Sequence, residues 1–259
     1  MRIPYFQVNA FTKDTFGGNP AGVCLLESWL PDSLLQRIAA ENDLSETAFL
    51  IPRAGGFRLR WFTPVAEVDL CGHATLASAY VLFFEREWSG QSIEFETLSG
   101  RLGATRVRDY IELDFPSTPP LPCVAPEGLL RALRRESEEV LKSRDYLVRF
   151  RSEEDVVEMQ PDLGLVSELD GRGLIVTAPG KTTDFVSRCF FPQSGIDEDP
   201  VTGSAHTMLV PYWAQRLGKN QLTAVQLSAR QGWLDCRLDG DRVYMSGYAK
   251  TFLKGEILL

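Results

Sequence analysis

Arg60-Trp61-Phe62-Thr63-Pro64 is followed by the acidic residues Glu67 and Asp69, and then by Gly72-His73-Ala74, which opens an uncharged run to Phe84. The same plan returns as Arg188-Cys189-Phe190-Phe191-Pro192, the acidic cluster Asp197-Glu198-Asp199, and Gly203-Ser204-Ala205 opening an uncharged run to Ala214. Farther along, Leu98-Ser99-Gly100-Arg101 with Gly103 is echoed by Leu227-Ser228-Ala229-Arg230 with Gly232. Chance similarity rarely keeps register at three separate places, and the spacing between copies far exceeds the roughly 20–50 residues of solenoid repeats. The chain therefore reads as two duplicated domains, with a ligand expected in the cleft between them.

The run from Gly72 to Phe84 has no polar face beyond Thr75 and Ser78. A helix that is apolar all round must be buried on every side, so a curled sheet is expected to wrap it. Alternation predicts strands over residues 3–10, 23–26, 44–51, 57–63, 93–96, 102–107 and 110–115, with 16–22 as a tight Gly/Asn/Pro loop. Pro31-Asp32-Ser33 starts a helix that ends near Asn42-Asp43. Pro116, Pro119, Pro120, Pro122 and Pro126 crowd one short segment, which reads as the linker. Beyond it a helix is expected from Pro126 to Lys142, its charged outer face in solvent. Strands follow over 145–150, 174–178, 185–190, 224–228, 233–238 and 242–245, and a helix kinked at Pro211 stops near Gly218. The tail from Thr251 reads as one more strand, expected to pair beyond its own domain. The domains are thus 1–116, joined by strand 251–259, and 117–250.

The 259 residues, 44% hydrophobic and 24% charged, suit a globular protein with real cores, and a net charge of −8 gives no support to nucleic-acid or anionic-membrane partners. No run approaches the roughly 18 apolar residues of a membrane span, and the start lacks the apolar segment of a signal peptide, so a cytoplasmic protein is expected. The five cysteines are scattered without CxxC spacing, which argues against a disulfide framework and a zinc site.

In each copy a strand ends at proline, an acidic loop follows, and a buried helix begins at a small-residue turn. Such a helix start carries unpaired N–H groups and a positive dipole end, which suits a small substrate bearing a carboxylate. No GxGxxG or P-loop lysine is present, so nucleotide phosphate is a poor candidate. His73 and His206 each fall in the first turn of a repeated helix; His73 at the helix opening is expected to have a lowered pKa and to stay neutral. Asp199 precedes Gly203-Ser204, so a carboxylate, a hydroxyl and free amides converge, and Asp199 also reads as a plain N-cap. Glu46 sits at a strand entrance, where position alone suggests a solvated or turn-capping residue.

Together Gly17-Gly18-Asn19-Pro20-Ala21-Gly22, Ser45-Glu46-Thr47, Cys71-Gly72-His73-Ala74-Thr75 and Asp197-Glu198-Asp199-Pro200-Val201-Thr202-Gly203-Ser204 resemble the phenazine-biosynthesis PhzF-like family in order and spacing over nearly the whole chain. The resemblance implies an α+β, diaminopimelate-epimerase-like fold: two pseudo-symmetric duplicated domains, each a curled, mostly antiparallel, barrel-like sheet around a central buried helix. It implies Glu46 as the acid/base, with His73 and Asp199 as catalytic partners and Asn19, Gly72, Gly203 and Ser204 binding substrate. It implies isomerisation of a small cyclic or amino-carboxylate substrate without metal or organic cofactor, and a homodimer. Epimerase or racemase activity and a non-catalytic binder with the same fold are the alternatives. The related epimerases use two cysteines; Cys71-Gly72 resembles the first, but the second copy has no cysteine near its turn. Two-thiol inversion is therefore not expected, and Cys71 reads as a buried structural residue.

Overall fold

The computed structural model describes all 259 residues, which divide into two compact units, Met1–Phe115 with Tyr244–Leu259, and Pro116–Val243. The fold is α+β, with two duplicated curled and unclosed sheets.

In the first unit, strand Arg2–Ala10 pairs antiparallel with both Asn19–Leu25 and the C-terminal strand Ala249–Leu258. The tail thus returns to the first sheet. Asn19–Leu25 runs parallel to Glu46–Arg53, the crossover being α1 (Asp32–Asn42), which buries Leu35, Ile38 and Ala39. Parallel neighbours need such a crossover, because a tight hairpin cannot reverse the chain twice. Glu46–Arg53 pairs antiparallel with Gly56–Phe62, which is parallel to Ser92–Thr97 across a second crossover, α2 (Gly72–Tyr80). Ser92–Thr97, Gly100–Val107 and Tyr110–Pro116 complete the sheet as an antiparallel meander. Every residue of α2 from Gly72 to Ala79 is buried, and the helix continues as a π-helical turn, Val81–Glu85.

The second unit repeats the order. After α3 (Glu127–Leu133), strand Glu139–Lys142 pairs antiparallel with Tyr146–Arg149, which runs parallel to Leu174–Pro179 across the short helices α4 (Glu153–Val157) and α5 (Leu163–Ser167). Leu174–Pro179 pairs antiparallel with Phe185–Phe191, which is parallel to Gln221–Gln226 across α6 (Gly203–Leu217), and Gly232–Asp239 follows antiparallel.

The doubled stretch is built alike in both units. Gly56–Phe62 pairs with the two-residue strand Glu67–Val68, and Phe185–Phe191 pairs with Ile196–Asp199. In each, the arginine grips an acidic residue with two hydrogen bonds: Arg60 Nε and Nη2 to Glu67 at 2.6 and 2.7 Å, Arg188 Nε and Nη2 to Glu198 at 2.6 and 2.8 Å. Forked guanidinium–carboxylate pairs of this kind fix geometry as well as charge, so the acidic residues hold the hairpin that aims each helix start.

Two expectations change. The helix expected over 126–142 ends at Leu133, where Arg134 takes φ 52, and Glu139–Lys142 is a strand. Strand pairing outweighs helix propensity there; Arg134, Glu136 and Glu138 of the charged run are exposed as expected, while Arg135 pairs with Asp155 and Glu158, and Glu139 accepts from Tyr212. Second, the strand expected at Val23 begins at Asn19, because Pro20 sits opposite Asn9 and needs no donor of its own. The true turn is at Gly18, whose φ of +64 places a would-be Cβ 2.1 Å from the Ala10 carbonyl oxygen. As expected, α6 carries Pro211 in its interior and stops at Gly218. The proline leaves the Thr207 carbonyl without its helical donor, and the Thr118 N–H supplies one at 3.0 Å. A helix flaw thereby fastens the start of the proline-rich segment.

Candidate functional site

Asn19 and Glu46 are the first residues of two adjacent parallel strands, so both stand at the same sheet end. His73 is the second residue of α2, and the helix packs on these same strands. Three residues far apart in sequence are thus brought together by one crossover unit. The Asn19 amide Nδ2 donates to His73 Nδ1 at 3.1 Å, and His73 Nε2 lies 3.3 Å from Glu46 Oε2. A ring nitrogen that accepts cannot carry the proton, so Asn19 favours the Nε2–H tautomer, and Nε2 stands beside the carboxylate without a formed hydrogen bond. Burial, with His73 2% exposed, pushes its pKa down to about 3. His73 is therefore the expected neutral donor, although desolvation is what makes it so.

Cys71 is the N-cap of α2 and is buried, with Sγ 3.5 Å from His73 Nδ1. Its side chain gives the helix no cap, and the first-turn amides of Gly72, His73 and Ala74 have no acceptor within the helix. Thr202 holds the same N-cap position in α6. The two repeated helices thus carry a thiol and a hydroxyl at matched positions, which leaves the fold with one thiol where two-thiol inversion needs a pair.

In the second unit Asp199 is buried at the end of its strand, and Thr202 Oγ1 donates to Asp199 Oδ2 at 2.5 Å. Asp199 therefore does not cap α6 itself; it holds Thr202, which takes the N-cap position without a side-chain capping bond. Gln226, on the strand parallel to Phe185–Phe191, ties this turn from the far side: its Oε1 accepts from Thr202 N at 2.8 Å, and its Nε2 donates to Asp199 O at 2.7 Å. Gly203 and Ser204 open the helix. Ser204 Oγ accepts from Arg172 Nη2 at 2.9 Å, and Arg172 grips the fully buried Asp145 through Nε and Nη2 at 3.0 and 2.6 Å. Accepting from the arginine uses one of its two lone pairs and leaves the Ser204 hydroxyl proton available to donate. Opposite charge on Asp145 outweighs desolvation and holds the guanidinium pKa above its usual value.

His206 does not join either cluster's chemistry. Its Nδ1 donates to the Thr202 carbonyl at 2.8 Å, its ring lies against Phe185, and burial lowers its pKa to about 4. Arg172, Asp145 and Gln226 were not candidates from sequence. Asp145 and Arg172 flank a strand pair whose partners follow only from the parallel register Tyr146↔Leu174, and no motif announces that pairing.

No helix is long and apolar enough to cross a membrane. A sequence model described as phenazine biosynthesis-like protein matches residues 8–255. An uncharacterized isomerase of Pseudomonas aeruginosa is 51% identical over the full length of both chains, and an uncharacterized isomerase of Halalkalibacterium halodurans 48% identical, again over both full lengths. Among solved structures, a phenazine biosynthesis protein of the PhzF family from Enterococcus faecalis superposes with a TM-score of 0.96 at 46% identity, covering all of both chains.

Proposed function

Because this chain belongs to the phenazine biosynthesis-like protein family and is, at the level of that family, an isomerase, we propose that it shifts a proton within a small cyclic or amino-carboxylate substrate, without metal or organic cofactor. Glu46 is the acid/base. The observation that carries this reading is the cluster Asn19–His73–Glu46, in which Asn19 holds a neutral imidazole with Nε2 3.3 Å from the carboxylate. The carboxylate form of Glu46 is the one that can take a proton from carbon. As Glu46 takes the proton, His73 Nε2–H donates to the developing enolate-like oxygen, and the protonated Glu46 then returns the proton to another carbon of the same face. Asn19 serves the substrate through His73, and the Gly72 amide at the start of α2 binds a substrate oxygen. In the second unit Asp199 handles an amino or hydroxyl substituent, and Gly203 and Ser204 bind a carboxylate, Ser204 with Arg172 behind it. A homodimer is the proposed assembly, which sedimentation analysis measures.

The test is hydrogen exchange in deuterated water, followed by proton NMR over a panel of small cyclic, amino and hydroxy carboxylates. General acid/base catalysis is worth roughly 10²–10⁴ in rate, so Glu46→Gln is expected to lose at least 100-fold. Near-normal turnover by that variant rules out the assignment. Partial retention of the migrating hydrogen marks a single base, complete wash-out marks a two-base racemase, and binding without exchange across the panel marks a non-catalytic protein.

A further inference from the structure

We propose that Glu46, Cys71 and His73 also form a binding site for a thiophilic divalent cation such as zinc, whose occupancy switches the acid/base pair off. Each residue offers one ligand atom, and these atoms lie within 4.8 Å of one another. Thiolate, imidazole and carboxylate are all zinc donors, and three protein ligands with one open position is the pattern of exchangeable zinc sites. Bonds of about 2.0–2.3 Å in a tetrahedron set ligand-to-ligand edges of about 3.3–3.7 Å. Glu46 Oε2 and His73 Nε2 stand at 3.3 Å, so that edge is in place, and with all three ligand atoms within 4.8 Å the sulfur has at most about 1 Å to close by side-chain rotation.

The proton inventory is simple. The cation takes the lone pair of Nε2, whose proton moves to Nδ1; there it is accepted by Asn19 after its amide turns over. The Cys71 thiol proton leaves to solvent, so one proton is released per cation bound. Asn19 then plays the part usual for the group behind a metal-bound histidine, holding the far ring nitrogen. The thiolate selects soft and borderline ions over magnesium or calcium. This gives Cys71 a role that the proton shift does not, and it explains why a sulfur atom beside His73 carries a consequence: the same two groups needed for acid/base work become ligands. The inhibition rests on the acid/base reading above, whereas cation binding does not.

The experiment titrates cobalt(II) chloride into the full chain, kept reduced with a phosphine. One equivalent is expected to produce the intense visible bands of tetrahedral cobalt and a sulfur-to-cobalt charge-transfer band in the near ultraviolet, both abolished by zinc. Cys71→Ser is expected to lose the charge-transfer band and at least tenfold in affinity. Glu46→Gln is expected to keep the band and lose at least tenfold in affinity. Absence of the bands in the parent chain overturns the proposal, and so does an undiminished charge-transfer band in Cys71→Ser, since the remaining cysteines would then be the ligands. Should Cys71→Ser fail to fold by circular dichroism, undiminished cobalt affinity in Glu46→Gln overturns it equally. A chain that binds cobalt in this way yet exchanges no hydrogen with any substrate sinks the acid/base reading and leaves the cation site standing.

Discussion

Replacing Asp145 by asparagine keeps the shape of a fully buried side chain and removes the charge facing Arg172. Two hydrogen bonds, at 3.0 and 2.6 Å, then meet an amide of which one end is a donor pointing at donors. Deleting one member of a buried ion pair costs about 3–5 kcal/mol. The Arg172 side chain is 31% exposed, so water recovers part of its charge, and about 2–3 kcal/mol is the expected loss. With a urea dependence of roughly 1–3 kcal/mol per molar, the midpoint falls by about 1 M. The assay is urea unfolding of the full chain followed by tryptophan fluorescence, which Trp213 reports from the core of the same unit. The double variant Asp145→Asn, Arg172→Met removes the stranded cation and is expected to recover at least half of the loss, since two uncharged neighbours carry no unpaired charge. A midpoint shift below about 0.2 M for the single variant, or a double variant no better than the single, refutes the claim that this pair is the electrostatic footing of Ser204.

Acid sensitivity follows from the two histidines. Both have folded-state pKa values pushed below 6.5 by burial, His73 to about 3 and His206 to about 4. Stability is therefore fully present above the unfolded pKa of 6.5 and is lost as pH falls from there toward the folded values, by about 2 kcal/mol per histidine at pH 5. Chemical denaturation at pH 7 and pH 5 checks this, and His206→Asn is expected to remove about half of the slope; an unchanged slope contradicts it. The two arginine clamps give a comparison within one molecule. Arg60→Met is expected to cost about 1–2 kcal/mol, its pair with Glu67 being partly exposed. Arg188→Met is expected to cost about 1–2 kcal/mol more, because Arg188 Nη1 also donates to the carbonyls of Val156, Val157 and Met159. Equal midpoints for the two variants in urea would show that these carbonyl bonds contribute nothing.

Much of the candidate site was legible in the chain as written. His73, Gly72, Gly203 and Ser204 stand out because a small-residue turn opening an uncharged run marks a buried helix start, and Asp199 stands out because its acidic loop is repeated. Glu46 and Asn19 do not stand out in this way. Each is an ordinary polar residue at a strand start, and only family likeness singled them out from sequence. Their link to His73 depends on a parallel register, Ala21↔Glu46, that no local pattern encodes. The misread helix over 126–142 has the same origin: Glu139–Lys142 is held by neighbours at Tyr146–Arg149 and Leu121–Pro122, and a charged segment with weak intrinsic preference follows its partners.

By itself the sequence determined the duplication, the two buried helices and the proline-rich join, because hydrophobic periodicity and turn chemistry act over a few residues and leave their mark at fixed spacing. The tertiary structure alone decided which nitrogen of His73 faces Asn19, that Asp199 holds Thr202 at the N-cap position of α6 without capping the helix, and that a buried Asp145 stands behind Arg172 and Ser204. Those are matters of a few tenths of an ångström between groups far apart in the chain. They are settled by strand register and packing, which the order of residues implies only through the whole fold.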